Sequence, residues 1–571
     1  NLVEGVYQFE LKVTDNQGAV GRDTMAVTVN IVSSGGGTAN AGADSIIFLN
    51  QTRPDTAILN GSNSQGATSF LWTKISGPGT QVIANPAAAV TNVLNMEEGV
   101  YQFQLTVNGT EKDTVKITVR DFMKKNIRPC RTGQPQAFTL AKTSATELYR
   151  PYLTRDNIIP GLMGGDTLYI PGGVYTSGIE IGDIGGGPGC PIVIAPKDEP
   201  VIIKNDGYFR VASRDTAVIC YAKFDGTLLR SKGYPFGWIM DNSDRTPSQV
   251  TGIGLTFNWA HHVDISGYHT NHSAVGLMVK LNANALLQGR YDKVLLRKIR
   301  IFDNYIFRSN GEGMYIGHTG ISGTTTGNST PYGPPARMDS IEIYNNILDS
   351  LDWDGIQLSN ALNGCKINNN FVRRYGIANI GSQQAGILSG GNISGVQVYN
   401  NMTVNGTGTG IVVFGYNTSN VYHNIVDSVR SGSGIEHGAY LKRNSVYPEI
   451  VSPLVPVVTG NIFKNAENYA VYTAPNPETT GGSVTGNYFI NNQNNTVANN
   501  SGAVVNNNTV VSSFPITINT ISKTQTGYSI NLTQADSTAS FNSVGNMVDW
   551  LFSRLNAPAP PNQAPVASAG A

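Results

Sequence analysis

Eight asparagines each stand three residues after a β-branched apolar residue, and this column constrains the fold more than any other feature. They are Asn304, Asn346, Asn370, Asn401, Asn424, Asn461, Asn487 and Asn508, after Ile301, Ile343, Ile367, Val398, Val421, Val458, Val484 and Val505. The text around them repeats as IRIFDN, IEIYNN, CKINNN, VQVYNN, NVYHN, VVTGN, SVTGN and VVNNN. Successive asparagines lie 42, 24, 31, 23, 37, 26 and 21 residues apart. A constant local pattern at a variable period means coils of a solenoid whose loops differ in length. Alternating apolar residues followed by Asn predict a short strand and then a tight corner. Asn tolerates the left-handed conformation, so it is expected to turn the corner itself and to bond its amide to the amide of the next coil.

A second column runs in phase with the first. Nine residues past the corner come Gly313 (EGMYI), Gly355 (DGIQL), Gly410 (TGIVV) and Ala470 (YAVYT). Asn424 reaches Gly434 (SGIEH) with one extra residue, and Asn370 reaches Gly386 (AGILS) after sixteen, which predicts an insertion there. The two columns resemble those of a right-handed parallel β-helix, over residues 156–512.

The N-terminal region carries a different repeat. GVYQFELKVTDNQGAVGRDTMAVTVNIV near the start matches GVYQFQLTVNGTEKDTVKITV at 99–119. Both alternate strictly, as half-buried antiparallel strands do. The longer copy adds ANAGADSIIFL and SFLWTKISGPG, with Trp72 as its expected core aromatic. It resembles the PKD or REJ-like immunoglobulin-type β-sandwich. The expected fold class is therefore all-β: a right-handed parallel β-helix solenoid preceded by an immunoglobulin-like, PKD-type β-sandwich. Residues 1–34 read as the C-terminal half of one sandwich and 38–120 as a second. Residues 121–155 read as a connector and N-terminal cap, 156–512 as the β-helix, and 513–558 as a capping region. There Met547, Val548, Leu551, Phe552 and Leu555 share one helical face, expected to close the open end of the solenoid. Residues 559–571 read as a proline-rich linker and the start of a further module, since PNQAPVASAGA echoes ANAGA. The chain is expected to be an excerpt of a longer multidomain protein.

Charge narrows the partners. The formal net charge is zero and 14% of residues are charged, which leaves no electrostatic footprint for nucleic acid. No apolar run is long enough for a transmembrane segment. Of the four cysteines, Cys220 and Cys365 read as buried apolar residues, while Cys130 and Cys190 flank the helix entrance and leave a disulfide open.

Chemistry on a solenoid needs aligned residues outside its packed core. One position before the small-residue column lie Glu312 and Asp354; two positions after it lie Tyr315 and Gln357. If Met314 and Ile356 point inward, all four point outward, on strands about 4.8 Å apart. Two carboxyls about 5 Å apart suit a retaining glycosidase pair, and their mutual repulsion separates an acid from a base. The long segment 319–337, with Tyr332, is expected to wall this site, with His318 at its base and Trp353 stacking on a sugar. The plainer reading is a polar coil corner, with Trp353 turned into the core. Glu436 and His437 in SGIEHGAYLKRN form a second candidate, near Tyr440, Lys442 and Arg443, with the residue types a β-elimination lyase uses. His261, His262, His269 and His272 crowd around Asp264, but strand alternation sends them to different sides, so polar surface is preferred to a metal site. Calcium is common in β-helix lyases, but no ligand cluster stands out, so no cofactor is expected. The DGI of Asp354–Ile356 is similar to polygalacturonase-type helices, whose further paired aspartates and HG and RIK-type motifs are not recognisable here.

The resemblance implies a secreted or cell-surface bacterial protein that meets a polysaccharide or cell-surface glycan. A polysaccharide-degrading hydrolase or lyase is one expectation. A non-catalytic adhesin or stalk, whose partners include further domains of the same polypeptide, is the other. Fold alone does not separate them.

Overall fold

The computed structural model describes residues 5–29, 37–48, 56–79, 81–120, 127–144, 147–148, 159–205, 207–211, 218–281, 295–319, 336–362, 364–430, 437–443, 452–475, 479–492, 496–525 and 527–555. The chain divides into two compact units, residues 1–121 and 122–571.

The first unit holds an antiparallel hairpin, Gly5–Thr14 with Val20–Val29, and a β-sandwich. One sheet pairs Ser45–Phe48, Glu111–Arg120, Gly99–Val107 and Phe70–Ser76; the other pairs Thr56–Asn60, Val90–Leu94 and Val82–Ile83. Period-two alternation puts Tyr101, Phe103, Leu105 and Val107 on the inner face, all fully buried. Trp72 fills the centre at 1% exposed, its indole N–H donating to the Ala88 carbonyl at 3.1 Å.

The second unit is the parallel β-helix, of the right-handed sense that parallel crossovers follow. Each coil lays one strand on each of three faces. Leu295–Phe302, Tyr305–Ser309 and Met314–Ile316 make one coil; Arg337–Tyr344, Ile347–Leu351 and Ile356–Ser359 make the next. The stacking is parallel and in register: Ile301 beside Ile343, Tyr305 beside Ile347, Met314 beside Ile356. Inward rows such as Ile301, Ile343, Ile367, Val398, Val421, Val458 and Val484 are wholly buried.

The asparagine column forms a ladder through the first corner. Each Nδ2 donates to the Oδ1 of the next asparagine at 2.9–3.0 Å, from Asn304 through to Asn508. That same Oδ1 also accepts the backbone N–H of the preceding asparagine, as Asn370 Oδ1 does from Asn346 at 3.1 Å. The left-handed residue is not the ladder asparagine but the one before it. Asp303, Asn345, Asn369, Asn400, His423 and Asn507 have φ of 53–56°, and Gly460 and Gly486 have 63° and 67°. The corner is thus a two-residue device. The first residue takes the strained turn, and the second points inward and bonds.

The two ends of the solenoid differ. At the N-terminal end a Cys130–Cys190 disulfide closes the first coils. Arg131 grips the buried Asp166 through both carboxylate oxygens, at 2.5 and 2.6 Å. Burial pushes the Asp166 carboxyl up, but Arg131 and the N–H groups of Gln136 and Met163 outweigh it and hold it at about 2. At the other end the expected cap is absent. The helix Val544–Ser553 and the antiparallel sheet Ile516–Thr524, Gly527–Gln534, Ser537–Phe541 lie along the side of the solenoid instead. Met547, Val548, Leu551 and Phe552 pack with the outward row Tyr305, Ile347, Phe371, Met402, Ile425 and Ile462. Phe552 stacks on His423 at 3.9 Å, and Lys523 reaches His269 Nε2 at 3.0 Å. The reason is that this outward row is apolar throughout, so it needs a cover more than the coil end does.

Candidate functional site

The small-residue column places Glu312 and Asp354 on successive coils, because Met314 pairs with Ile356 on the third face. Gly313 N–H donates to the Asp354 carbonyl at 2.9 Å, which fixes the two corners against each other. A Cβ at Gly313 would meet Leu348 at 2.6 Å and the Gly355 carbonyl at 2.8 Å, so only glycine allows this approach.

The expected outward exposure does not hold. Glu312 is 4% exposed and Asp354 is 0% exposed. A residue at a corner is not bound by strand alternation, and here both side chains fold under the turn. Asp354 Oδ1 accepts the Ala385 N–H of the next coil at 2.6 Å. Its Oδ2 is buried and meets no hydrogen-bond donor among the described residues. Burial pushes the Asp354 carboxyl up to about 8; the Glu312 charge adds to this and the Ala385 N–H opposes it. Glu312 is also raised, by burial first, with its own backbone and Lys280 pulling the other way. At neutral pH Asp354 is therefore a carboxylic acid beside a second carboxyl.

The flanking residues sit close by. Tyr315 and Gln357 are cross-coil neighbours. The Tyr315 hydroxyl meets Thr319 Oγ1 at 2.9 Å, and Gln357 Nε2 reaches the same oxygen at 3.4 Å. Gln357 is 3% exposed, and its Oε1 has no partner among the described residues. Trp353 is half-buried, its ring lying over Gly311, and is not an inward core residue. His318 is half-buried beside Gly317. Tyr332 lies outside the described residues, as does most of the 319–337 segment.

Sequence reasoning missed Lys280. Its ammonium stands 4.1 Å from the centre of the Tyr315 ring. The signal was present one coil upstream, where VGLMVK carries Gly276 in the same column and Leu277 pairs with Met314. The asparagine column that gave the phase begins one coil later, because Tyr268 takes the ladder position there and gives its N–H to Asn304 Oδ1.

The second candidate changes register. Ile411 pairs with Ala439 and Val412 with Tyr440, so Gly438, not Gly434, continues the column. The outward position assigned to Glu436 belongs to Tyr440, which stacks on Tyr472 at 5.0 Å. Glu436 lies outside the described residues, and His437 is described only by its backbone pairing with Tyr469.

The histidines separate as alternation requires. His262 stacks on Tyr221 and, with Lys223, Asp264, Lys298 and Arg300, lines a shallow recess of about 230 Å³. Arg300 closes on Asp264 through two bonds of 2.7 and 2.5 Å. His269 is buried against Lys523, and His272 bonds Asn310 Oδ1 at 3.0 Å. Among the described residues no group of three potential ligands surrounds a metal position. No helix among them is long and apolar enough to cross a membrane.

Comparison with known proteins bears on the two units differently. Residues 41–119 match the family model for the PKD domain of KIAA0319-like proteins. A 152-residue stretch is 32% identical to the dyslexia-associated protein KIAA0319 homolog of Mus musculus, covering 25% of this chain and 14% of that protein. The KIAA0319-like protein of Mus musculus is 32% identical over 153 residues, again 14% of its length. The chain therefore spans a small part of these relatives. Among solved structures, an alginate lyase from Paenibacillus sp. is 14% identical over 57% of this chain and 94% of its own, with a TM-score of 0.33. The pectate lyase Pel9A is 12% identical over 68% and 80%, also at 0.33. The solenoid is assigned by its own strand register. The chain joins a PKD domain to a large parallel β-helix.

Proposed function

We propose that this is an extracellular carbohydrate-active protein, secreted or displayed at a cell surface, whose β-helix cleaves a polysaccharide. Asp354 would be the general acid and Glu312 the nucleophile of a retaining hydrolysis. The observation that carries this reading is the Asp354 carboxyl, raised to about 8 beside a second carboxyl in register on the adjacent coil. A protonated acid at neutral pH can give its proton to a glycosidic oxygen while Glu312 attacks the anomeric carbon; water then releases the sugar. Lys280 and Tyr315 supply a cation and a ring for the sugar beside the pair. The reading uses no metal ion. The PKD domain would act as spacer or docking unit.

One observation favours a second reading, a non-catalytic glycan-binding or stalk protein. Both carboxyls are buried, and Asp354 is tied into the next corner through the Ala385 N–H. A panel of polysaccharides assayed for new reducing ends and for unsaturated uronate products decides between them. Hydrolysis lost in Glu312→Gln and in Asp354→Asn supports the pair. Turnover unchanged in both variants places the chemistry elsewhere, and no turnover with retained glycan binding supports the second reading.

A further inference from the structure

We propose that the C-terminal end of the β-helix is a self-association surface that takes the same end of a second copy of this chain. The last coil is built from Val497–Asn499, Val504–Asn506 and Thr509–Val511. These strands pair backwards onto the preceding coil through Val471 with Val497, Val484 with Val505 and Phe489 with Val510. Among the described residues no strand pairs with their forward edge.

The core is open at this end. Val505 and Val510 occupy inward rows, yet they are 42% and 75% exposed. Their counterparts one coil earlier, Val484 and Phe489, are 0% and 2% exposed. Val504 beside them is 58% exposed. The C-terminal sheet and helix, which would be the natural cover, are committed to the lateral row from Tyr305 to Ile490.

Edge strands left open in this way are ordinarily protected by lysine, proline or an inward charge. This edge has no such protection. From Thr479 to Ser522 the sequence contains no Asp, Glu, Lys, Arg or His, and from Thr479 to Phe514 no proline. The absence of charge selects the partner. Two identical ends meet without repulsion, whereas a charged partner finds nothing complementary.

Geometry agrees with a twofold pair. Rotating one solenoid end-to-end onto another about an axis across the stack reverses the sense of its terminal coil. Each edge strand then runs antiparallel to its mate, and the open N–H and C=O groups meet their complements. The ladder contributes too. In every coil from Asn304 to Asn487 the asparagine N–H is taken by the next Oδ1, and Asn508 has no next rung in its own chain.

The test uses the full chain. Sedimentation velocity over a wide concentration range is expected to show reversible conversion to twice the mass of one chain. Hydrogen exchange at amides 504–511 is expected to slow in the same concentration range. Val504→Lys with Val510→Lys replaces two exposed side chains, so the fold should persist with unchanged thermal unfolding. Association should weaken by at least about tenfold, as lysines do on natural edges. A chain that stays monomeric at every concentration overturns the proposal. So does association that the double variant leaves intact, or slow exchange at 504–511 in the monomer, which would mean that the chain covers its own end.

Discussion

Two corners of the same coils bury polar groups in opposite ways. At the asparagine corner every buried rung is satisfied. Asn346 gives its amide to Ile301 and Tyr344 carbonyls and to Asn370 Oδ1, and its N–H to the same oxygen. At the Glu312–Asp354 corner a few residues on, one carboxyl oxygen and the Gln357 Oε1 are buried without partners among the described residues. A buried polar group that is fully bonded holds the fold together, while one left unbonded costs stability of about 1–3 kcal/mol. The coil could have carried a second ladder at this corner and does not. What the difference teaches is where selection for stability has been relaxed.

The largest expected effect lies on the bonded side. Asn370→Ala removes the acceptor for the N–H and amide of Asn346 and the donor to the Ile343 carbonyl, all in wholly buried surroundings. With about 1–3 kcal/mol for each orphaned group, the loss should reach about 4 kcal/mol or more. Denaturant titration of the β-helix unit reads it directly. A loss no greater than that of an exposed substitution would mean that the ladder decorates the corner instead of holding it.

The opposite sign is expected at the other corner. Asp354 has a folded-state carboxyl at about 8 against an ordinary value of 3.8. The folded form therefore binds this proton more tightly than the unfolded one. The stabilising contribution is complete below about pH 4 and is lost as pH rises toward 8. Asp354→Asn keeps an oxygen for the Ala385 N–H and removes the titration. It should match the wild type at pH 4 and exceed it near pH 8 by about 1–3 kcal/mol. Thermal unfolding across that range measures the gap between the two proteins. Parallel profiles would show that the carboxyl is solvated and that the two corners are alike.

The sequence made one corner legible and hid the other, for physical reasons. The ladder repeats because each rung bonds to the next, so the same residue must recur at the same phase. The left-handed residue before it was equally visible in the pairs Asp303–Asn304, Asn345–Asn346 and Gly460–Asn461, once the turn and the bond are assigned to separate residues. The residue after it was also readable. Tyr305, Ile347, Phe371, Met402, Ile425 and Ile462 form an outward apolar row, which foretells a lateral cover and explains where the C-terminal helix goes. The burial of Glu312 and Asp354 left no such trace, because a corner side chain answers to the local turn and not to a period of two. Glu436 was misplaced because SGI at 433–435 and HGA at 437–439 both offer a glycine, and the choice falls to the Tyr440–Tyr472 stack across coils.

A smaller effect tests whether the unbonded corner extends beyond its carboxyls. Gln357 neighbours Leu388 on the next coil, and Ala385, Leu388 and Val412 form an apolar cluster there. Gln357→Leu should extend that cluster and remove the buried Oε1, raising stability by about 1 kcal/mol. If the glutamine serves a sugar, glycan binding falls while stability rises, and the two readouts part. A fall in both would give Gln357 a bonding role like that of the ladder.

The smallest effect comes from the last rung of the ladder itself. Asn508 is half-buried and gives its amide to the Val484 carbonyl at 2.8 Å. Its Oδ1 serves Asn487 N–H and amide, but no later coil depends on it. Asn508→Ala frees groups that water can reach at the open end, so the cost should be about 1 kcal/mol, well below that of Asn370→Ala. The ratio of the two variants measures how far a rung's contribution depends on being enclosed. Equal losses would mean that each rung contributes through its own corner alone. In that case the satisfied corner owes its strength to the turn beneath it, and the contrast with the carboxyl corner would rest on local geometry rather than on the continuity of the column.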